Sequence, residues 1–181
     1  PSVVNKRVVA EYGYWNRMLH RCFVKRIEFR NYTNCEVSPC FLNYEYFYEW
    51  CQEQVGCGSR DEAGKLYHLD KDILALPNKG LLYSPETCVF IPTQINSLPD
   101  RNAKKDNGLP SGVFWDKARQ KYRSECSTSG KSSVYVGRFD SADEAYAAFK
   151  DVRRQHILQV AEKYRDKVDI RVYNQLLNLE V

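Results

Sequence analysis

Residues 66–96 read LYHLDKDILALPNKGLLYSPETCVFIPTQIN, and the order of features in this stretch decides what the chain can build. It opens on an alternation in which His68, Asp70 and Asp72 share one face if the backbone is extended. Pro77, Asn78 and Gly80 then mark a turn. Leu81-Leu82-Tyr83 follows, then a Ser-Pro-Glu-Thr connection and an apolar run from Cys88 to Ile91. Pro92 suits the first turn of a helix, where its missing N–H costs nothing. The expected order is strand, turn, strand, short helix, with a carboxylate, Asp70, near the start and an amide, Asn96, near the end. Oxygen donors so placed suit a divalent cation held against a phosphate.

The segment resembles the HNH endonuclease motif of phage-type homing nucleases, which reads Asp-His, then Tyr-x-Pro-Glu-Asn, then a closing Asn. The resemblance implies that Asp70 and Asn96 are ligands of Mg²⁺ or Mn²⁺. It also puts Lys71 at the general-base histidine position and Thr87 where an asparagine would orient that base. An ordinary lysine, with a pKa of ~10.4, is protonated near neutrality and makes a poor base. His68, on the same strand face as Asp70, is the substitute, with solvent hydroxide as the other proton acceptor. The candidate catalytic residues are thus Asp70, His68, Lys71 and Thr87.

Upstream, Val8, Tyr12, Trp15, Leu19 and Cys22 recur at spacings of four and three, the stripe of an amphipathic helix within residues 1–30. Arg17, Arg21, Lys25, Arg26 and Arg30 flank it. Asn31, Asn34, Ser38 and Pro39 indicate connecting structure. A second helix is expected from Asn43 to Val55, ended by Gly56 and Gly58. Trp15, Met18, Arg21-Cys22, Phe41, Tyr46-Phe47 and Trp50 also resemble the region ahead of the motif in the same phage proteins. Cys35, Cys40, Cys51 and Cys57 raise zinc as a possibility. The Cys-x-x-Cys knuckle of structural zinc is absent, so buried free thiols are the default.

Downstream, residues 97–110 are polar and rich in turn formers, with Arg101, Lys104 and Lys105 as a short basic cluster, and read as a linker. Three strands are then expected at Gly112–Lys117, Lys121–Ser127 and Ser132–Val136, with Ala118-Arg119-Gln120 and Ser129-Gly130 as turns. Ser141 and Glu144 form a capping box opening a helix to about Tyr164, whose apolar face carries Ala145, Phe149, Val152 and Val160. Alternation puts Val113, Trp115, Tyr122, Ser124, Cys126, Val134 and Val136 on the helix side of the sheet. Lys121, Arg123, Glu125, Ser133 and Tyr135 then face outward.

The pattern Gly-Val…Lys-Tyr-Arg…Tyr-Val-Gly-Arg-Phe-Asp-Ser…Glu-Ala…Ala-Phe over residues 112–149 resembles the AP2 DNA-binding domain. The resemblance implies that the outward face enters a DNA groove, with Lys117, Arg119, Lys121, Arg123, Glu125, Tyr135 and Arg138 as the contact set. Phe114 and Asp116 stand where the plant-type pattern has arginines.

Charge supports that assignment. Residues 1–100 hold 11 Lys/Arg against 12 Asp/Glu, and residues 101–181 hold 16 against 11, so the C-terminal part is the likelier to face a polyanion. Mean hydropathy is −0.59, no apolar run reaches a membrane span, and no signal-peptide pattern opens the chain. Seven cysteines without framework spacing fit a reducing compartment, the host cytoplasm if the chain is phage-encoded.

The expected fold class is α+β. A helical region and an HNH-like ββα unit (about residues 64–98) fill residues 1–100. A linker (101–110) leads to an AP2-like three-stranded antiparallel sheet backed by a helix (111–165), and an apolar tail (166–181) docks on the body or on a second copy. The expected function is that of a double-stranded-DNA-binding protein of homing-endonuclease descent with weak or lost nicking. The alternatives are a regulator or inhibitor that binds a host protein, and a single-stranded nucleic-acid binder stacking bases on Phe114 and Tyr135.

Overall fold

Four core aromatics set the first half of the molecule. Phe41, Phe47, Trp50 and Phe90 pack edge-on or tilted against one another, with centroids 5.0 Å (Phe41–Phe47), 4.8 Å (Phe41–Trp50) and 5.7 Å (Trp50–Phe90) apart. Rings at such separations add to their area burial and fix the elements that carry them. The computed structural model describes residues 3–4, 7–24, 35–76, 80–98, 108–129 and 132–179. Within these the chain is mixed α and β and falls into two compact units. One comprises residues 1–96 and 164–175, the other residues 97–163 and 176–181.

The first unit begins with a hairpin, β1 (Val3–Val4) and β2 (Arg7–Val8), before helix α1 (Ala10–Phe23). The expectation of helix throughout residues 1–30 is corrected here. The β-branched pairs Val3-Val4 and Val8-Val9 favour extended backbone over a helical start. The buried face of α1 also differs from the expected stripe. Tyr14 and Met18, four apart, are its buried residues, and Tyr14 packs on Phe90 at 4.9 Å. Tyr12 and Trp15 lie on its flank against Tyr44, because the Trp15 indole N–H needs an acceptor and donates to the Phe41 carbonyl at 2.8 Å. Lys25, Arg26, Arg30, Asn31 and Asn34 lie outside the described residues.

The next residues were expected to be irregular but form strand β3 (Glu36–Val37) and the short helix α2 (Pro39–Leu42), with Pro39 in its first turn. Helix α3 (Tyr44–Glu53) is N-capped by Asn43, whose side-chain oxygen accepts from the N–H groups of Glu45 and Tyr46. Strand β4 (His68–Asp70), strand β5 (Leu82–Tyr83), strand β6 (Val89–Ile91) and helix α4 (Thr93–Asn96) complete the central stretch. β4 pairs antiparallel with β6, placing His68 opposite Ile91 and Asp70 opposite Val89. β5 instead pairs parallel with β3. The strand–strand–helix order therefore stands, and its second strand is the apolar run of residues 89–91. Pro77, Asn78 and Lys79 lie outside the described residues.

The second unit holds β7 (Val113–Asp116), β8 (Lys121–Ser129) and β9 (Ser132–Phe139), an antiparallel sheet in that order, and helix α5 (Ala142–Tyr164), whose last residue belongs to the first unit. The capping box is present: the Glu144 N–H donates to the Ser141 hydroxyl at 3.2 Å and the Ser141 N–H to the Glu144 carboxylate at 3.3 Å. Val113, Ser124, Cys126, Ala145 and Phe149 form the buried layer. Trp115 and Val134 share that side but stay 41% and 45% exposed. Trp115 is covered in part by its neighbour Tyr122, with ring centroids 4.8 Å apart. A register shift between Ser124 and Glu125 interrupts the β8–β9 ladder, so simple alternation does not carry through β9. Arg101, Lys104, Lys105 and Gly130 lie outside the described residues.

The apolar tail is a helix, α6 (Ile170–Asn178), and its buried residues recur at spacings of four: Val168, Val172 and Leu176. Those side chains are covered within the chain itself. Arg171 donates to the Glu86 carbonyl at 2.8 Å and Gln175 to the Leu76 carbonyl at 2.9 Å. No described helix is long and apolar enough to cross a membrane.

The sheet–helix contact yields a stability test. Gly112 has φ +74°, and a Cβ there would lie 2.2 Å from the Phe149 ring and 2.8 Å from the Glu125 carbonyl oxygen. Gly112→Ala combines a left-handed backbone with overpacking and is expected to cost at least ~2 kcal/mol. A urea midpoint unchanged from wild type would show that α5 does not seat there.

Candidate functional site

Two groups of polar residues are the candidates, one per unit. The first is the outward face of the three-stranded sheet. Directly opposed residues share a face, so the pairings Phe114↔Arg123, Asp116↔Lys121, Arg123↔Arg138 and Glu125↔Tyr135 assemble one surface from all three strands. On it Arg138 Nε donates to Asp116 Oδ2 at 3.0 Å and Nη1 to the Tyr135 hydroxyl at 3.0 Å. The Arg138 guanidinium also lies 5.2 Å from the Tyr135 ring centroid, and that of Arg123 lies 5.4 Å from the Phe114 ring, both cation–π distances. Arg123 pairs with Glu125 at 3.2 Å, Lys121 with Asp140 at 2.9 Å, and Arg119 with Asp116 at 3.5 Å. The Arg138 hydrogen bond holds the Asp116 carboxyl below the usual carboxylate range. Lys117 is exposed at the end of the β7–β8 turn, which closes through Gln120 in a left-handed conformation (φ 53°). All seven residues expected to contact DNA thus fall on this face or its adjoining turn.

Phe114 and Asp116 belong to the surface as well; in the sequence Asp116 stands out only as a departure from a pattern, and Phe114 also as a stacking aromatic. Their signal was available: both occupy outward positions of β7 by the same period-2 count.

The second group lies on the ββα unit of β4, β6 and α4. Asp70 ends β4 and is 9% exposed, and its Oδ1 accepts from the N–H groups of Asp72 (2.9 Å) and Ile73 (2.7 Å). It therefore caps the short 3₁₀ turn at Ile73–Ala75. Asn96 ends α4, half-buried, its N–H bonded to the Pro92 carbonyl at 3.1 Å. One carboxylate and one amide are hard oxygen donors of the kind Mg²⁺ and Mn²⁺ take, with water and phosphate oxygens completing the shell. Among the described residues no three His, Cys, Asp or Glu side chains converge as a metal-binding group. All seven cysteines are free thiols, and burial pushes Cys88 up to about 12.

Lys71 is not placed as a base. It is 1% exposed, and its ammonium pairs with Asp72 Oδ1 at 2.8 Å, donates to the Gly80 carbonyl at 2.6 Å and sits 5.3 Å from the Tyr83 ring centroid. Thr87 is also engaged by local structure: its hydroxyl donates to the Leu82 carbonyl at 2.7 Å and accepts from the Ser84 N–H at 3.0 Å. Both side chains hold the connection between β4 and β6 instead of flanking a reacting atom.

His68 keeps the chemistry a base needs. Its Nε2 lies 3.1 Å from the Thr93 hydroxyl, which also hydrogen-bonds Asp61. Burial lowers its pKa below 6.5, aided by the positive charges of Arg21 and Arg17 and opposed by Asp70 and Asp61. The imidazole is therefore neutral at pH 7. Asp61 and Thr93 have no periodic or motif signal that would have singled them out beforehand, and Arg17 and Arg21 stand out only as basic residues beside the helical stripe and, for Arg21, in the resemblance ahead of the motif.

Comparisons with protein-family models, with curated proteins and with solved structures find no match.

Two measurements follow. Lys71→His would place an imidazole at this position but remove a buried ion pair and a hydrogen bond, and is expected to cost ~1–3 kcal/mol in urea unfolding. A variant as stable as wild type would contradict the structural role. For His68 and His156, both lowered by burial, the unfolded chain binds protons that the folded chain refuses. Stability is then full above pH ~6.5 and falls as pH drops below it. His68→Gln is expected to flatten part of that fall, and NMR titration to place both imidazoles below 6.5. Titration of His68 above 6.5 would overturn the neutral-base reading.

Proposed function

We propose that this chain binds double-stranded DNA through the outward face of β7–β8–β9, and that its ββα unit is of HNH homing-endonuclease descent with weak or lost metal-dependent nicking. The observation that carries the binding half is the single surface that gathers Lys117, Arg119, Lys121, Arg123 and Arg138 around Phe114 and Tyr135. Cations there neutralise phosphates, while the Asp116 carboxylate holds the Arg138 guanidinium in a fixed direction. Three strands at the usual ~4.8 Å spacing span about 10 Å between their outer backbones, against a major groove about 12 Å wide. The buried layer under α5 keeps the surface rigid.

The nicking half rests on what the ββα unit retains and lacks. Asp70 and Asn96 would hold the cation, and a bound Mg²⁺ or Mn²⁺ would supply Lewis-acid stabilisation of a phosphate. His68 can accept a proton at neutral pH. With Lys71 and Thr87 built into the connecting segment, no base is oriented in the family's way, which accounts for a low rate.

Binding is tested on the full chain by fluorescence anisotropy with duplex DNA over a salt series. Lys121→Ala and Arg123→Ala are each expected to weaken binding and reduce the log–log salt slope by about 0.9. Lys150→Ala on α5 should do neither. Arg153 would be an unsuitable control, because it donates to the Ser127 carbonyl at 2.9 Å. A flat salt response, or equal losses at all three sites, would contradict binding by this face. In parallel, any Mg²⁺- or Mn²⁺-dependent nicking of supercoiled plasmid should vanish in Asp70→Asn, which keeps the oxygen that caps the turn. Undiminished nicking in that variant would remove Asp70 from the metal site.

A further inference from the structure

The five cations of the sheet face are not equivalent. Arg119 is 61% exposed and Lys121 44% at the side chain, each with one carboxylate beside it. Arg123 has its Nε toward Glu125, on its own strand. Arg138 alone is fixed at two of its nitrogens by groups from two different strands. Asp116 lies on the opposite edge strand, so the contact crosses β8, and Tyr135 lies three residues back on β9. Of the five N–H donors of a guanidinium, these contacts use two. Three remain, on Nη1 and Nη2, the two nitrogens at the end of the fork. A paired-donor fork matches the O6 and N7 acceptors that guanine presents in the major groove, and fixing it beforehand removes the entropy cost of ordering a long side chain on binding.

We infer that Arg138 is the specificity-determining residue of the face, reading one guanine of duplex DNA, with Asp116 and Tyr135 as positioning residues. The inference rests on the proposed DNA binding and adds to it a base-reading residue and its target. Lys117, Arg119, Lys121 and Arg123 then serve the phosphates. Asp116, the residue that departs from the plant-type pattern, acquires a role: it takes the Nε–H and leaves the fork end for the base.

The test is selection of full-length protein on a duplex library with a randomised core, followed by sequencing. Wild type is expected to enrich sites with a guanine at one fixed position. Arg138→Ala and Arg138→Lys should lose the preference there while keeping the salt slope, since a base contact releases no counterion. Asp116→Asn and Tyr135→Phe should broaden that same position, and they cover the case in which Arg138→Ala fails to fold. Replacing that guanine by 7-deazaguanine should weaken wild type by roughly 5- to 100-fold and leave Arg138→Ala unaffected. Three results would overturn the inference: enrichment without base preference, an unchanged guanine in the Arg138 variants, or a uniform loss with the slope reduced by about 0.9, the mark of a phosphate contact. A folded wild type that retains no duplex at low salt would overturn the proposed DNA binding itself.

Discussion

Everything proposed for the C-terminal unit depends on which side of its sheet is covered. Phe149 packs over Gly112, and Val113, Ser124 and Cys126 are wholly buried on that side. Because side chains alternate with a period of two, burying those positions commits their neighbours to the other face. Phe114, Asp116, Lys121, Arg123 and Glu125 become a surface for no reason of their own. The charge pairs across that surface come second. At exposed positions they contribute little to stability, ~0–1 kcal/mol, but they fix directions, and fixed directions are what recognition of a groove needs.

The ββα unit is governed by a different constraint. An ammonium at Lys71 with 1% exposure must be paired and hydrogen-bonded, and Asp72, the Gly80 carbonyl and the Tyr83 ring do this. The position that would carry the base in the resembled nucleases thus ties β4 to the segment leading into β5. Under the proposed descent, chemistry would have been exchanged for structure at this one residue, with Asp70, Asn96 and His68 kept on the same unit. Such a unit can keep its shape after losing its rate.

Legibility in the sequence followed the range of the interactions. The capping box of Ser141 and Glu144, the order of β7 to β9 and the outward set on β8 depend on neighbours within a few residues and could be read directly, whereas β8 runs to Ser129 and β9 to Phe139, past the expected ends at Ser127 and Val136. The buried stripe of α1 could not. Tyr12 and Trp15 are as apolar as Tyr14 and Met18, and only the partner surface, Phe90 on one side and Tyr44 on the other, decides between them. The parallel pairing of β5 with β3 was hidden for the same reason. In the tail Val168, Ile170 and Val172 alternate in the sequence, yet Ile170 is 60% exposed, since burial there recurs at every fourth residue, as in a helix. Lys71 was recognised as a departure, but its burial depends on Gly80, nine residues away. Asp61 and Thr93 gave no sign at all.

The most direct test of the account is a map of amide shifts. ¹⁵N-labelled full-length protein titrated with a short duplex should show its largest changes at Phe114, Arg123, Glu125, Tyr135 and Arg138, and smaller ones along α5. Changes confined to α1 and α3, or none at a DNA concentration that saturates the anisotropy signal, would contradict binding by the sheet face.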